Sequence, residues 1–155
     1  MKVQFVSRAD AKRLIASNYF VEHACDLISI SDNGPERKAI RNLWLERKCE
    51  ANAAIFLDFR DIDDNSSGFT ENKARCIIDF VAESHRKKKD IVVHCFAGIS
   101  RSGAVAKYIN EYYGLNDDYL TNYVGHNRWV YYTLLENSGQ ETLRSFYSKQ
   151  ERGEL

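Results

Sequence analysis

Apolar positions along this chain follow two rhythms. Four short runs rich in β-branched and aromatic residues, 3–6, 27–30, 53–59 and 91–93, read as strands. The last is almost continuously apolar, as in a strand covered on both faces. Between the strands the spacing becomes helical. Ala74, Ile77, Ile78 and Val81 stand at i, i+3, i+4 and i+7, behind Thr70 and Glu71, which suit a helix start. The basic run His85-Arg86-Lys87-Lys88-Lys89 closes that helix, where positive charge complements the carbonyl end of the dipole. It reads as a solvated helix end, with a docking patch as the other option. Val105, Tyr108, Ile109 and Tyr112 repeat the helical spacing, and Gly114 is placed to stop them. Two more helices are predicted, one from near Asn127 and one from near Ser138, where Ser138 and Glu141 have capping-box spacing. Strands alternating with helices predict an α/β fold, with a central, mostly parallel sheet of four to five strands flanked by helices.

At 155 residues the chain suits a single domain, 1–155, large enough to hold a core without disulfides or structural metal. Hydrophobic residues make up 44% and charged residues 28%, which excludes a disordered chain. Ser31-Asp32-Asn33-Gly34-Pro35 is the only loose stretch and reads as a loop, too short for a domain boundary. Lys plus Arg balance Asp plus Glu at 22 each, so no global field draws the chain onto nucleic acid or an anionic membrane. No window approaches the roughly 18 to 20 apolar residues of a membrane span. A soluble, unexported, cytoplasmic protein is expected. The four cysteines show neither CxxC pairing nor the spacing of a zinc site, so reduced thiols and no metal are expected. Cys25, Cys49 and Cys76 read as small hydrophobes.

The fourth cysteine carries different chemistry. His94-Cys95-Phe96-Ala97-Gly98-Ile99-Ser100-Arg101-Ser102 joins the buried strand at 91–93 to the helix that contains Val105. Backbone N–H groups of a tight loop entering a helix N-terminus converge on one point, as an anionic ligand requires. Gly98 permits backbone geometry that a β-carbon would hinder, and Ala97, Ser100 and Ser102 are too small to obstruct the concavity. Phe96, Ala97, Gly98, Ile99, Ser100 and Arg101 are therefore the candidate phosphate-binding residues. Cys95, at the base, gains from the helix dipole and from Arg101, which both favour thiolate. Arg101 can return across the loop and present a planar fork to two phosphoryl oxygens.

His94-Cys95-x5-Arg101-Ser102 resembles the signature of the protein tyrosine phosphatase superfamily. Ala97-Gly98-Ile99-Ser100-Arg101-Ser102 looks like that of its dual-specificity branch. Leu27-Ile28-Ser29-Ile30-Ser31-Asp32 and Phe59-Arg60-Asp61-Ile62 look like segments of small microbial predicted tyrosine phosphatases, so the resemblance spans residues 1–136. It implies the phosphatase fold, Cys95 as nucleophile through a phosphocysteine intermediate, and no cofactor. It further implies that His94 orients the loop and that Ser102 assists departure of the thiolate. A strand-end histidine satisfied by backbone and a plain helix-start serine are the structural alternatives.

The family's mechanism needs an aspartate from another loop as general acid and then base. Asp58, Asp61, Asp63 and Asp64 are available. Alternation of Leu57 and Phe59 with polar neighbours carries the strand through Phe59 and puts Asp61 just past its end. The family's usual spacing to the cysteine points instead to Asp63 or Asp64. Gly125-His126-Asn127 stands where the family often has Pro-Asn; only Asn127 matches, as a contact to the catalytic loop or as a helix cap. Residues 96–100 contain no Lys or Arg, which disfavours polyphosphorylated inositol head groups and RNA 5′-triphosphates. The expected substrate is a phosphorylated protein or peptide, phosphotyrosine first, with phosphoserine and phosphothreonine also open. An RNA 5′-triphosphatase or other non-protein phosphatase, and a non-catalytic phosphate-binding module, are the competing readings.

Overall fold

A computed structural model describes residues 1–139. The elements follow in the order β1 (Val3–Val6), α1 (Arg8–Ala16), α2 (Tyr19–Glu22), β2 (Cys25–Ser31), α3 (Gly34–Glu46), β3 (Ala54–Asp58), α4 (Glu71–Arg86), β4 (Asp90–His94), α5 (Arg101–Tyr112), α6 (Asp118–Thr121) and α7 (Arg128–Asn137). A short 3-10 turn, Asn65–Ser67, lies between β3 and α4. The four strands form one sheet in the order β1-β4-β2-β3, with every pairing parallel.

Side chains alternate between the two faces of the sheet, as the two-residue strand period requires. Ile28, Ile30, Ile91 and Val93 join the core under α4, α5 and α7, while Leu27 and Val92 join a second core with Ala11, Ile15, Phe20, Ile40 and Trp44. Truncating a fully buried isoleucine here to alanine costs about 2–5 kcal/mol. Because β4 sits between β1 and β2, the chain reverses direction across the sheet beside β4. In open parallel sheets that reversal, at the carboxyl ends of the strands, leaves a crevice for ligands.

Helix starts and stops follow local chemistry. Thr70 caps α4 by accepting from the Lys73 N–H, and Asn127 caps α7 by accepting from the Val130 N–H. Gly114 takes φ +60° just beyond α5, as a helix stop needs. The basic run ends α4, with Arg86 and Lys87 paired to Glu83, and Lys89 turned to Asn52.

Several expectations are corrected. The loop expected at 31–35 shrinks to Asp32 and Asn33: Ser31 ends β2, Gly34 and Pro35 open α3, and Pro35 in the first turn loses no helical hydrogen bond. The strand expected through Phe59 stops at Asp58, although the Phe59 N–H still donates to the Ser31 carbonyl. Ser138 forms the C-cap of α7; the helix expected from it, with Glu141, lies outside the described residues. Helix α5 is buried from Arg101 through Asn110, not along one face. Its polar side chains tolerate this because Lys107 donates to the Leu120 and Thr121 carbonyls and Asn110 bonds Asp117 and Thr121. Cys25 and Cys49 are buried as expected, but Cys76 points outward from α4. Among the described residues no helix is long and apolar enough to cross a membrane.

Candidate active site

Residues 95–100 connect β4 to α5 at the carboxyl edge of the sheet, beside the reversal of strand order. The loop is locked from below. Gly98 takes φ +71°, and a β-carbon there would stand 2.4 Å from the Ser7 nitrogen and 2.5 Å from the Val6 carbonyl carbon. Only glycine satisfies both the left-handed backbone and that approach. The Arg8 N–H holds the Phe96 carbonyl, and the Tyr123 hydroxyl donates to the Ile99 carbonyl at 2.7 Å. The side chains of Phe96 and Ile99 are exposed, at 62% and 54%.

The Cys95 sulfur lies 3.1 Å from the Ser102 hydroxyl. Burial alone would raise this thiol's pKa. The Ser102 hydroxyl and the N–H groups of Ser102, Ile99 and Gly98 outweigh burial and hold the pKa below that of a free thiol. His94 is fully buried, with Nδ1 3.2 Å from the Cys95 carbonyl and Nε2 2.6 Å from the Ser29 hydroxyl. A carbonyl only accepts, so the neutral ring carries its proton on Nδ1 and accepts from Ser29 at Nε2. Burial first, then the charges of Arg8, Arg101 and Lys12, push His94 down to about 4 against the pull of the Cys95 carbonyl.

Arg101, the first residue of α5, is buried with its Nη1 on the Phe59 carbonyl at 2.6 Å and on the Asp32 carboxylate at 2.6 Å. These contacts fix the guanidinium plane. Its Nε is buried and has no partner among the described residues. A buried donor left unpaired is costly.

Three aspartates differ in what holds them. Asp61 Oδ1 accepts from the Ser100 hydroxyl at 2.8 Å and from the Asn127 amide at 2.9 Å, while the Asn127 backbone N–H donates to the Ser100 carbonyl. Asn127 thus ties Asp61 to the loop and caps α7 at once. Asp63 accepts from the Trp129 N–H in the first turn of α7. Asp64 caps the 3-10 turn, and the Ser66 hydroxyl and N–H hold its carboxyl below the usual range. Asp58 is paired with Arg37 at 2.6 Å. His126, beside Asn127, packs edge-on to the Tyr131 ring.

The structure therefore gathers Cys95, Arg101, Ser102, His94, Ser100, Asp61 and Asn127 at one edge, and engages Asp63 and Asp64 in turn and helix starts. Sequence reasoning gave no role to Ser29 or Asp32. Both carried a signal: Ser29 is the polar residue within the run 27–30, and Asp32 follows the carboxyl end of β2, where such sheets keep their ligand contacts. Among the described residues no group of His, Cys, Asp or Glu side chains is arranged to hold a metal ion.

No curated protein matches the chain. Three solved structures share its fold. Tk-PTP in its active form is 17% identical over 97% of this chain and 90% of its own, at a TM-score of 0.50. OH1 from the Orf virus, described as a tyrosine phosphatase with triple substrate specificity, is 19% identical over 90% and 84%, at 0.54. PTPMT1 is 12% identical over 94% and 95%, at 0.56. The profile of the dual specificity phosphatase catalytic domain matches residues 17–148. This chain belongs to the dual specificity phosphatase family and is a cysteine-dependent protein-tyrosine/dual-specificity phosphatase.

Proposed function

We propose that the chain is one catalytic domain that hydrolyses phosphorylated proteins, phosphotyrosine above all, with Cys95 as the attacking group. A Cys95 sulfur ringed by donors, together with the unpaired, buried Nε of Arg101, carries this reading. The thiolate attacks phosphorus, the P–O bond to the substrate breaks, and Asp61 protonates the departing oxygen. Its carboxylate bonds Ser100 of the catalytic loop and Asn127, whereas Asp63 bonds the Trp129 N–H and Asp64 bonds Ser66, which supports this role over Asp63 and Asp64. Water, deprotonated by Asp61, then breaks the S–P bond, and the Ser102 hydroxyl steadies the released thiolate. Arg101 and the N–H groups of residues 96–101 stabilise the equatorial oxygens. His94 and Asn127 hold the loop and the acid in place without touching substrate.

The exposed Phe96 and Ile99 give the cradle an apolar mouth without a cation on the loop itself. That supports an aromatic phosphoester over a polyphosphorylated head group or RNA 5′-end, and phenolate also leaves more easily than alkoxide. Four free thiols and balanced charge support a reducing, cytoplasmic setting. The test is to quench the enzyme in acid during turnover of a phosphotyrosyl peptide and map the protein by mass spectrometry. One phosphoryl group on the Cys95 peptide is expected. Phosphate release that survives Cys95→Ser overturns the assignment.

A further inference from the structure

Helix α3 carries a charge pattern unlike that of α1 and α4. In those two helices several cations pair with an acid three or four positions away: Arg13 with Asp10, Arg75 with Glu71, Arg86 and Lys87 with Glu83. On α3 no acid stands three or four positions from Arg37, Lys38 or Arg41, and the charged residues at that spacing are cations. Arg37 and Arg41 are four apart and Lys38 and Arg41 three apart, a spacing at which like charges destabilise a helix. Arg37 is held by Asp58 across to β3. Lys38 and Arg41 have no ion pair or hydrogen bond among the described residues, and both are exposed.

These three cations and Phe56 line an open concavity of about 400 Å³. Its position relates it to the catalytic loop. Asp58, which anchors Arg37, directly precedes Phe59, whose carbonyl holds the Arg101 guanidinium. Asp32, which pairs with the same guanidinium, stands two residues before α3 and has no other ion pair among the described residues. The patch is therefore built on the two segments that orient the phosphate clamp.

We propose that this concavity is a secondary subsite for an acidic stretch of the phosphorylated polypeptide, a few residues from the phosphorylated side chain. The inference rests on the protein-substrate reading above. An extended chain advances about 3.3 Å per residue, and α3 begins two residues after Asp32, the partner of Arg101, so the two sites border one another along the fold. Carboxylates there would meet the two unpaired cations, and Phe56 offers a floor for the carbon skeleton. Selectivity would then come from the helix, because residues 96–100 of the loop contribute no charge of their own.

The test compares two phosphotyrosyl peptides that differ only in having four glutamates or four glutamines beside the phosphotyrosine, with p-nitrophenyl phosphate as the small reference substrate. For the unaltered protein at low salt, kcat/KM is expected to favour the glutamate peptide by about three- to tenfold, through KM, and the preference should fade at high salt. The double variant K38E/R41E should lose or reverse that preference and K38A/R41A should lose most of it, both with unchanged turnover of p-nitrophenyl phosphate. Equal kcat/KM for the two peptides in the unaltered protein overturns the inference, as does a preference that survives both double variants. So does retention on phosphatidylserine vesicles that depends on Lys38 and Arg41 without any peptide preference. Absence of Cys95-dependent turnover of p-nitrophenyl phosphate is a different failure, and sinks the catalytic reading instead.

Discussion

Cys25 and Cys95 lie at opposite ends of neighbouring strands, each 2% exposed, and their thiols are driven in opposite directions. Burial raises both. At Cys25, where β2 begins, the charges of Asp90 and Asp26 add to it and Lys89 offsets only part, so the pKa is pushed up to about 11. Its sulfur faces the His23 carbonyl, a group that rewards the proton staying on. Cys95 follows the end of β4, where the chain turns into α5 and presents N–H groups. A parallel sheet sorts its ends this way, since every strand leads from the same edge into the start of a helix. Equal burial therefore says nothing about reactivity; which end of the backbone faces the sulfur decides it. Empty space does not decide it either, because a cavity of about 460 Å³ opens at the Cys25 end.

The contrast is broken most severely by exchanging one sulfur at a time. Cys95→Ser should lower kcat for p-nitrophenyl phosphate by about 10⁴-fold or more, whereas Cys25→Ser should leave it within about twofold. Iodoacetamide at pH 7 should label Cys95 and spare Cys25 in the folded protein, read by peptide mapping. Labelling of Cys25 first would reverse the ranking of the two ends.

Acids at the two ends also differ in placement. Asp90 and Asp26 raise the Cys25 thiol directly, but Asp61 is held off the Cys95 sulfur by its bonds to Ser100 and Asn127. Asp61→Asn should cut kcat about 10²–10³-fold. A general acid works protonated, so turnover of the unaltered protein should fall as pH rises, and the variant should lack that fall. Asp63→Asn and Asp64→Asn should each stay within about threefold. Loss of the alkaline limb in Asp63→Asn, with Asp61→Asn unaffected, would move the role.

How much of this was legible depends on whether a residue acts through neighbours in sequence or across the fold. Cys95, Arg101 and Ser102 lie on one strand-loop-helix unit, and the spacing of that unit exposed the fold and the loop together. The four strands were visible because their apolar runs are bounded by polar residues. Choosing among the aspartates was harder, since Asp61, Asp63 and Asp64 share one polar segment, and what separates them is contact with α7 and Ser100, distant in sequence. Asp32 could not be assigned to Arg101 for the same reason: their 69-residue separation in sequence closes only when β2 and β4 pair. The all-round burial of α5 was hidden because Lys107 and Asn110 look solvent-facing until α6 supplies their partners.

His94 sharpens the comparison through stability. It is neutral in the folded chain down to about 4, against about 6.5 when unfolded. Between those values the unfolded chain binds a proton that the folded chain refuses, so stability is present above pH 6.5 and is lost as pH falls toward 4. The loss should amount to about 3 kcal/mol in urea unfolding midpoints converted with a constant m value. His94→Asn should remove most of that slope while Cys25→Ser retains it. An unchanged slope in His94→Asn would mean that other groups titrate in this window.

The smallest effect isolates one donor. In the folded protein the Ser102 hydroxyl is the largest single contribution opposing burial at Cys95, and Cys25 has no equivalent. Ser102→Ala should therefore raise the Cys95 pKa, since a donor to the charged form is lost. The midpoint of iodoacetamide alkylation against pH reads this directly and is insensitive to a modest loss of helix stability. Phosphate release should show a larger burst over a slower steady rate, because the same hydroxyl also steadies the thiolate as it departs in the second step. If the alkylation midpoint stayed fixed, Ser102 would serve only as the second residue of α5, and the loop N–H groups alone would separate the two cysteines.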